Sequence, residues 1–233
     1  MLSTFFKCAV VAMAVSMAHA QNEGHRVSAR LVYFQQSTGD PEDLYFNNNG
    51  EFVKCSPSGS VSAPPVACPV DAAGKVIFTK TAAAGEVVAA ANVPESVTQA
   101  VFLILKNPTP GTGTPYQILV VDESFRTLAK GGSFICNLSP KNERVTLGES
   151  KLLLPPGKPV YVKRPDQKDA YNMASLQMQI QGEGDEWKNI KDTMLRFSES
   201  ERYFIVSYLE DGKQPSVKIY KQVVQEKPQQ PTP

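Results

Sequence analysis

The sequence predicts an all-β protein, an immunoglobulin-like β-sandwich built as two tandem or intertwined units. Three observations lead there. Apolar and β-branched residues come in short runs, many of them alternating with polar residues. Turn-forming residues separate those runs at near-regular intervals, with 15 Gly and 18 Pro in 233 residues supplying the breaks. No stretch sustains a helical apolar period long enough to make a stable amphipathic helix.

The chain opens on a leader. Lys7 provides a charged start, residues 9–17 a short apolar core, and Ala18-His19-Ala20 an A-x-A cleavage site. That pattern predicts a secretory signal peptide over 1–20, cut before Gln21. The run falls short of the roughly 20 apolar residues that a membrane-crossing helix needs. Removing the 20-residue leader leaves 213 residues, with 23 basic against 23 acidic side chains once Lys7 is gone. A formally neutral chain offers no basic excess for phosphate neutralisation, so no nucleic-acid partner is expected. No polybasic cluster points to an anionic membrane. The longest apolar run after the leader, Ala100 to Leu105, is far too short for a transmembrane segment. The expected location is periplasmic or secreted.

Two units are expected, over 21–123 and 131–223, with a disordered tail over 224–233. In the first unit, 27–34 is rich in β-formers and partly alternating. Residues 43–46 and 51–55 flank Asn49-Gly50, the pair that tolerates the positive φ of a type I′ turn, and so predict a hairpin. Pro57, Pro64, Pro65 and Pro69 remove backbone donors and predict a loop over 56–70. Strands follow at 76–80, 86–91, 97–106 and 116–121. Residues 122–128 predict a turn or a single helical turn. In the second unit, strands are expected at 133–137, 143–147, 150–154, 160–163, 175–181, 186–190, 194–198, 202–209 and 216–222. Residues 175–181 alternate strictly, so one face should be buried and one wet. Asp211-Gly212 marks a second hairpin turn. The halves look alike, with residues 44–52 around Asn49-Gly50 expected to match 178–187 around 182–186.

Cysteine usage suits an oxidising compartment. Cys8 leaves with the leader. Cys55 and Cys68 enclose the Pro-rich loop and are expected to form a disulfide that staples it, with Cys136 a buried free thiol. Three cysteines allow other pairings.

Catalytic chemistry is sparse. The mature chain keeps one histidine, His25, beside its new N-terminus, a poor place to hold a general base or a nucleophile's partner. No G-x-S-x-G, HExxH or P-loop motif is present. The carboxylates Glu183, Asp185 and Glu186, or Asp122 and Glu123, are the candidates for glycoside hydrolysis. The first group falls on a Gly-bracketed hairpin tip, where solvated charges are the simpler expectation, and no EF-hand spacing supports calcium. No metal, no cofactor and no catalytic residue is expected. Among the aromatics, most of the eight tyrosines are expected to pack within or between sheets. Trp187, beside an exposed turn, is the ring expected to reach a ligand. Asn137-Leu138-Ser139 matches a glycosylation acceptor.

Several short elements together resemble a loose group of exported bacterial proteins of unknown function, seen among Verrucomicrobia-like organisms. They are Leu44-Tyr45-Phe46 with residues 49–53, then residues 132–139, then Leu154-Pro155-Pro156-Gly157, then Glu186-Trp187 and residues 202–206. The resemblance implies a periplasmic or secreted β-sandwich and carries over no catalytic residue. The expected function is therefore non-enzymatic: binding or scaffolding in the cell envelope, with a protein or glycan partner. A carbohydrate-binding accessory module and a carboxylate-based hydrolase are the alternatives.

Overall fold

A computed structural model describes residues 25–35, 39–107, 111, 113–210 and 212–224. The leader, the end of the tail and Asp211 of the second hairpin turn lie outside the described residues. Sixteen strands are present in them and no helix. The first eight are β1 (Arg26–Tyr33), β2 (Leu44–Asn48), β3 (Glu51–Cys55), β4 (Val66–Pro69), β5 (Lys75–Thr79), β6 (Val87–Asn92), β7 (Gln99–Lys106) and β8 (Tyr116–Asp122). The second eight are β9 (Ser133–Asn137), β10 (Glu143–Leu147), β11 (Ser150–Leu154), β12 (Pro159–Val162), β13 (Met173–Gln181), β14 (Trp187–Arg196), β15 (Glu201–Glu210) and β16 (Gln214–Val223).

They form four sheets of four strands, in two sandwich-like units. Sheet I has the order β4-β1-β7-β8 and sheet II the order β3-β2-β5-β6. Sheet III is β12-β9-β15-β16 and sheet IV is β11-β10-β13-β14. Adding eight to every strand number in sheets I and II gives sheets III and IV. The senses agree as well: β1 lies parallel to β7 and β9 parallel to β15, while the other pairs are antiparallel. The chain thus folds the same eight-strand pattern twice. The hairpin at Asn49-Gly50 corresponds to the β10–β11 hairpin at Gly148-Glu149, because Leu44↔Cys55 takes the same register place as Glu143↔Leu154. The expected match with residues 178–187 is therefore corrected; those residues span β13 and β14, the counterparts of β5 and β6. Asn49 (φ 55°) and Gly50 (φ 96°) both have positive φ, as the two-residue loop requires.

The sheets stack in the order II, I, III, IV. Leu31, Tyr33, Phe102 and Ile104 of sheet I meet Leu44, Phe46 and Phe78 of sheet II. Val32, Val101 and Leu103, on the opposite face of sheet I, meet Phe134, Cys136, Phe204 and Val206 of sheet III. Ile135 and Ile205, on the far face of sheet III, meet Val145, Leu176 and Met178 of sheet IV. Sheets I and III are covered on both faces, which is why β7, β9 and β15 read as continuous apolar runs rather than alternating ones. Sheet IV has one wet face: along β13, Ala174, Leu176, Met178 and Ile180 are buried while the residues between them point outward.

Polar groups lock the joint between units. Glu123, directly after β8 and only 6% exposed, accepts from Arg30 Nε at 3.1 Å and from Gln222 Nε2 at 2.8 Å. Its backbone carbonyl accepts from the buried Arg202 at 2.8 Å. Tyr220 donates to the Phe34 carbonyl at 3.0 Å, and Lys218 donates to the same oxygen. Leu128 N–H bonds the Ser124 carbonyl at 2.8 Å, closing a single helical turn between the units.

Three expectations change. Residues 66–69, expected in a loop, form β4, an edge strand antiparallel to β1. Pro69 is tolerated there because an edge strand leaves one side unpaired. β14 is one strand where two were expected, its irregularity absorbed by a register shift opposite Met178/Gln179. Cys55 and Cys68, expected to form a disulfide, are free thiols. Both lie in the core between sheets I and II, each Sγ directed at a carbonyl, Cys55 at Leu44 O (3.2 Å) and Cys68 at Val66 O (3.7 Å). Burial pushes both thiols up to about 12, which keeps them protonated and unreactive while folded.

Phe134 lies in the core shared by sheets I and III with Val32, Val101 and Leu103, and its ring also meets Phe204 (6.1 Å) and Tyr161 (5.3 Å) of its own sheet. Truncation in Phe134→Ala should cost about 3–5 kcal/mol, the usual range for a buried aromatic. In urea, Trp187 fluorescence reports the second unit and reactivity of Cys55 and Cys68 reports the first. The two probes should give coincident transitions in the wild-type protein, because the shared core between sheets I and III makes unfolding one event.

Candidate functional site: the open face of sheet IV

The outward residues of sheet IV form cross-strand rows. Leu153, Arg144, Gln179 and Asn189 make one row. Lys151, Thr146, Gln177 and Asp192 make the row beside it. On the other side Gln181 faces Trp187, and Asn142, just before β10, donates from its side chain to Gln181 Oε1 at 2.9 Å. Strand alternation puts these groups on the wet face, and flat antiparallel pairing keeps them in register. Of these, Asn142, Arg144, Thr146, Lys151, Leu153, Gln179, Gln181 and Trp187 line an open groove of about 540 Å³.

Trp187 is half-buried there and carries the guanidinium of Arg144 over its ring at 3.9 Å from the centroid. Arg144 reaches across β13 to do so, one row diagonally. Stacking of this kind holds the planar head in place and leaves its N–H edges free to donate. Among the described residues, no carboxylate pairs with Arg144 or Lys151. The nearest acid in the Lys151 row, Asp192, lies three strand spacings away, about 14 Å. Leu153, 60% exposed, gives the groove an apolar rim.

Directly beneath this face lies a buried carboxyl. Glu143 is fully buried and accepts from Ser139 Oγ at 3.0 Å and Ser207 Oγ at 2.5 Å. Asn137 supports it, accepting from Ser139 and donating to the carbonyls of Lys141 and Leu154. Burial raises the Glu143 carboxyl above its ordinary range, and the two hydroxyl donors only partly offset that. The counterpart of Glu143 in the first unit is Leu44. Asn137, which matched a glycosylation acceptor, is fully buried with its amide engaged, so no glycan fits there.

The remaining candidates do not converge on a reaction centre. Glu183, Asp185 and Glu186 are exposed at the β13–β14 hairpin tip. Asp122 is tied to Ser124 N–H and Thr127, and Glu123 to the joint between units. His25 is held against the Val97 carbonyl at 3.0 Å. No group of three or more His, Cys, Asp or Glu side chains among the described residues is placed to hold a metal. Tyr33, Tyr116, Tyr203 and Tyr220 are core residues, and no second exposed ring lies beside Trp187 in the groove. Sequence reading singled out Trp187 and missed Arg144 and Lys151. Two isolated cations on separate strands carry no linear motif; only the β10–β11–β13–β14 pairing brings them to one surface.

Comparison with protein-family models finds no match, and none is found among curated proteins.

Glu143→Gln should remove a pH dependence. A carboxyl raised by folding contributes stability below its unfolded pKa, and that contribution is lost as pH rises through its folded value. From pH 4 to 7 the wild-type protein should therefore lose stability relative to Glu143→Gln, read as urea midpoints at each pH. Parallel curves would show that Glu143 keeps an ordinary pKa.

Proposed function

We propose that this is an exported, non-enzymatic binding protein of the cell envelope, and that its ligand face is the open face of sheet IV around Trp187. One observation carries the reading: a groove holds a stacked guanidinium, a lysine and three side-chain amides on a sheet, with no acid among its described lining residues. Groups of that kind suit the binding and orienting of a polar ligand. The two central sheets, packed on both faces, act as the scaffold that keeps the face flat. Each unit reads as immunoglobulin-like, with eight short strands in two sheets over about 100 residues. The leader pattern over 1–20 and the resemblance to exported bacterial β-rich proteins support the location.

Export predicts that protein recovered outside the cytoplasm begins at Gln21, which N-terminal sequencing reads; an intact leader there would overturn it. The binding reading is tested through the chain's single tryptophan, which lies in the groove. Titration of a panel of envelope polysaccharides should give a saturable change in Trp187 emission with at least one member. Calorimetry should show that binding weakened about tenfold or more in Trp187→Ala, the equivalent of about 1.4 kcal/mol. Binding equal in the two proteins would move the ligand off this face.

A further inference from the structure

We infer that the ligand of the sheet IV face is an acidic polysaccharide, a chain of sugars bearing carboxylates; this rests on the binding reading above. The charge argument comes first. Arg144 and Lys151 face the groove, and no acid is among its described lining residues. The mature chain as a whole is neutral, so two cations left without acidic partners on one face are a local arrangement, not a reflection of composition. The first unit makes the contrast. The register counterparts of Arg144 and Leu153 are Tyr45 and Lys54, and Lys54 is neutralised by Asp43 at 2.6 Å.

The positive track continues past the groove. Gln181 also lines a second cleft of about 280 Å³, which turns the end of the sandwich onto the Ile180–Lys188 side of the sheet and adds Lys141, Lys188 and Lys213, with Glu183 the one acid among its described lining residues. Five cations lining two depressions that share Gln181 fit a repeating anion better than a single small one. The acidic hairpin tip carrying Asp185 and Glu186 bounds the track at that end and repels a polyanion from running over it.

The remaining groups choose sugar over peptide. Asn142, Gln179, Gln181 and Thr146 offer donors and acceptors together, which suits vicinal hydroxyls. The groove lies on a sheet face, where backbone N–H and C=O groups are already used in the ladder, so an extended peptide cannot add as a strand there. Arg144, held flat on Trp187, presents its N–H edge to a carboxylate in two-pronged fashion, and Lys151 supplies a second charge one row away.

The test uses the full-length mature protein and three probes: polygalacturonate, the same polymer with its carboxyls reduced to alcohols, and poly-L-glutamate. Polygalacturonate should change Trp187 emission saturably. Carboxyl reduction, and separately the double variant Arg144→Gln/Lys151→Gln, should each weaken binding about tenfold or more, about 1.4 kcal/mol. Binding should also fall with added salt. Both substituted side chains are solvent-exposed, so unchanged urea midpoints will show that the fold is intact. Equal, Trp187-dependent binding of the reduced polymer would overturn the inference and leave the binding reading standing. Poly-L-glutamate bound as tightly as polygalacturonate would overturn the choice of sugar. Polygalacturonate binding that ignores the double variant, or no response to either polysaccharide, would overturn the inference outright.

Discussion

Everything else in this molecule depends on the apolar layer between sheets I and III. Val32, Val101, Leu103, Phe134, Phe204 and Val206 meet there, drawn from both halves of the chain. A lone sandwich of about 100 residues has one core and two wet faces. Here each unit surrenders the outer face of one sheet to the other, and a third core results. Water is excluded from both faces at the centre of sheets I and III, so β7, β9 and β15 are apolar over most of their length, and the units cannot separate without exposing that surface. The Glu123–Arg30–Arg202–Gln222 cluster at the joint is the polar complement: it fixes the angle that the apolar contact alone, being non-directional, leaves loose.

The repeated eight-strand pattern shows how one topology is filled by unlike residues. Leu44 and Glu143 hold the same register place, and so do Cys55 and Leu154. A leucine opposite a cysteine in the first unit becomes, in the second, a carboxyl opposite a leucine, held by two serine hydroxyls with an asparagine beside them. The backbone requires only that the place be filled and its polar atoms satisfied. That freedom explains why the two units share a fold with little visible sequence likeness, and how only one of them acquires a cationic face.

Much of the architecture could be read from the residues. Asn49-Gly50 announced its hairpin because few residues accept two successive positive φ values. The alternation over 175–181 announced a strand wet on one side. The continuous run Ala100 to Leu105 says only that it is too short to cross a membrane; its burial on both faces depends on the second layer that covers sheet I. The misses have physical causes. β4 hid behind prolines because an edge strand needs only one set of hydrogen bonds. Turn chemistry and a shared aromatic point to the wrong hairpin for the repeat, because the pairing order is a long-range property. Proximity in sequence suggests a Cys55–Cys68 pair, yet the two thiols belong to different sheets of one sandwich, each Sγ directed at a carbonyl of its own neighbourhood. The candidate face was half legible: an indole beside a turn is visible in one dimension, whereas its guanidinium partner is set by strand order.

The layering has a geometric consequence. Sheets II and IV are the outermost layers and look in opposite directions, separated by three inter-sheet spacings of about 10 Å each. The molecule is thus two-poled, with a rigid spacer of about 30 Å between its solvent-facing sheets. Whatever rests on Arg144 and Trp187 at one pole is held clear of whatever meets Tyr45 and Lys54 at the other. The two poles differ in charge pairing as well as in direction, so the body has a definite front and back even though its two units share one fold.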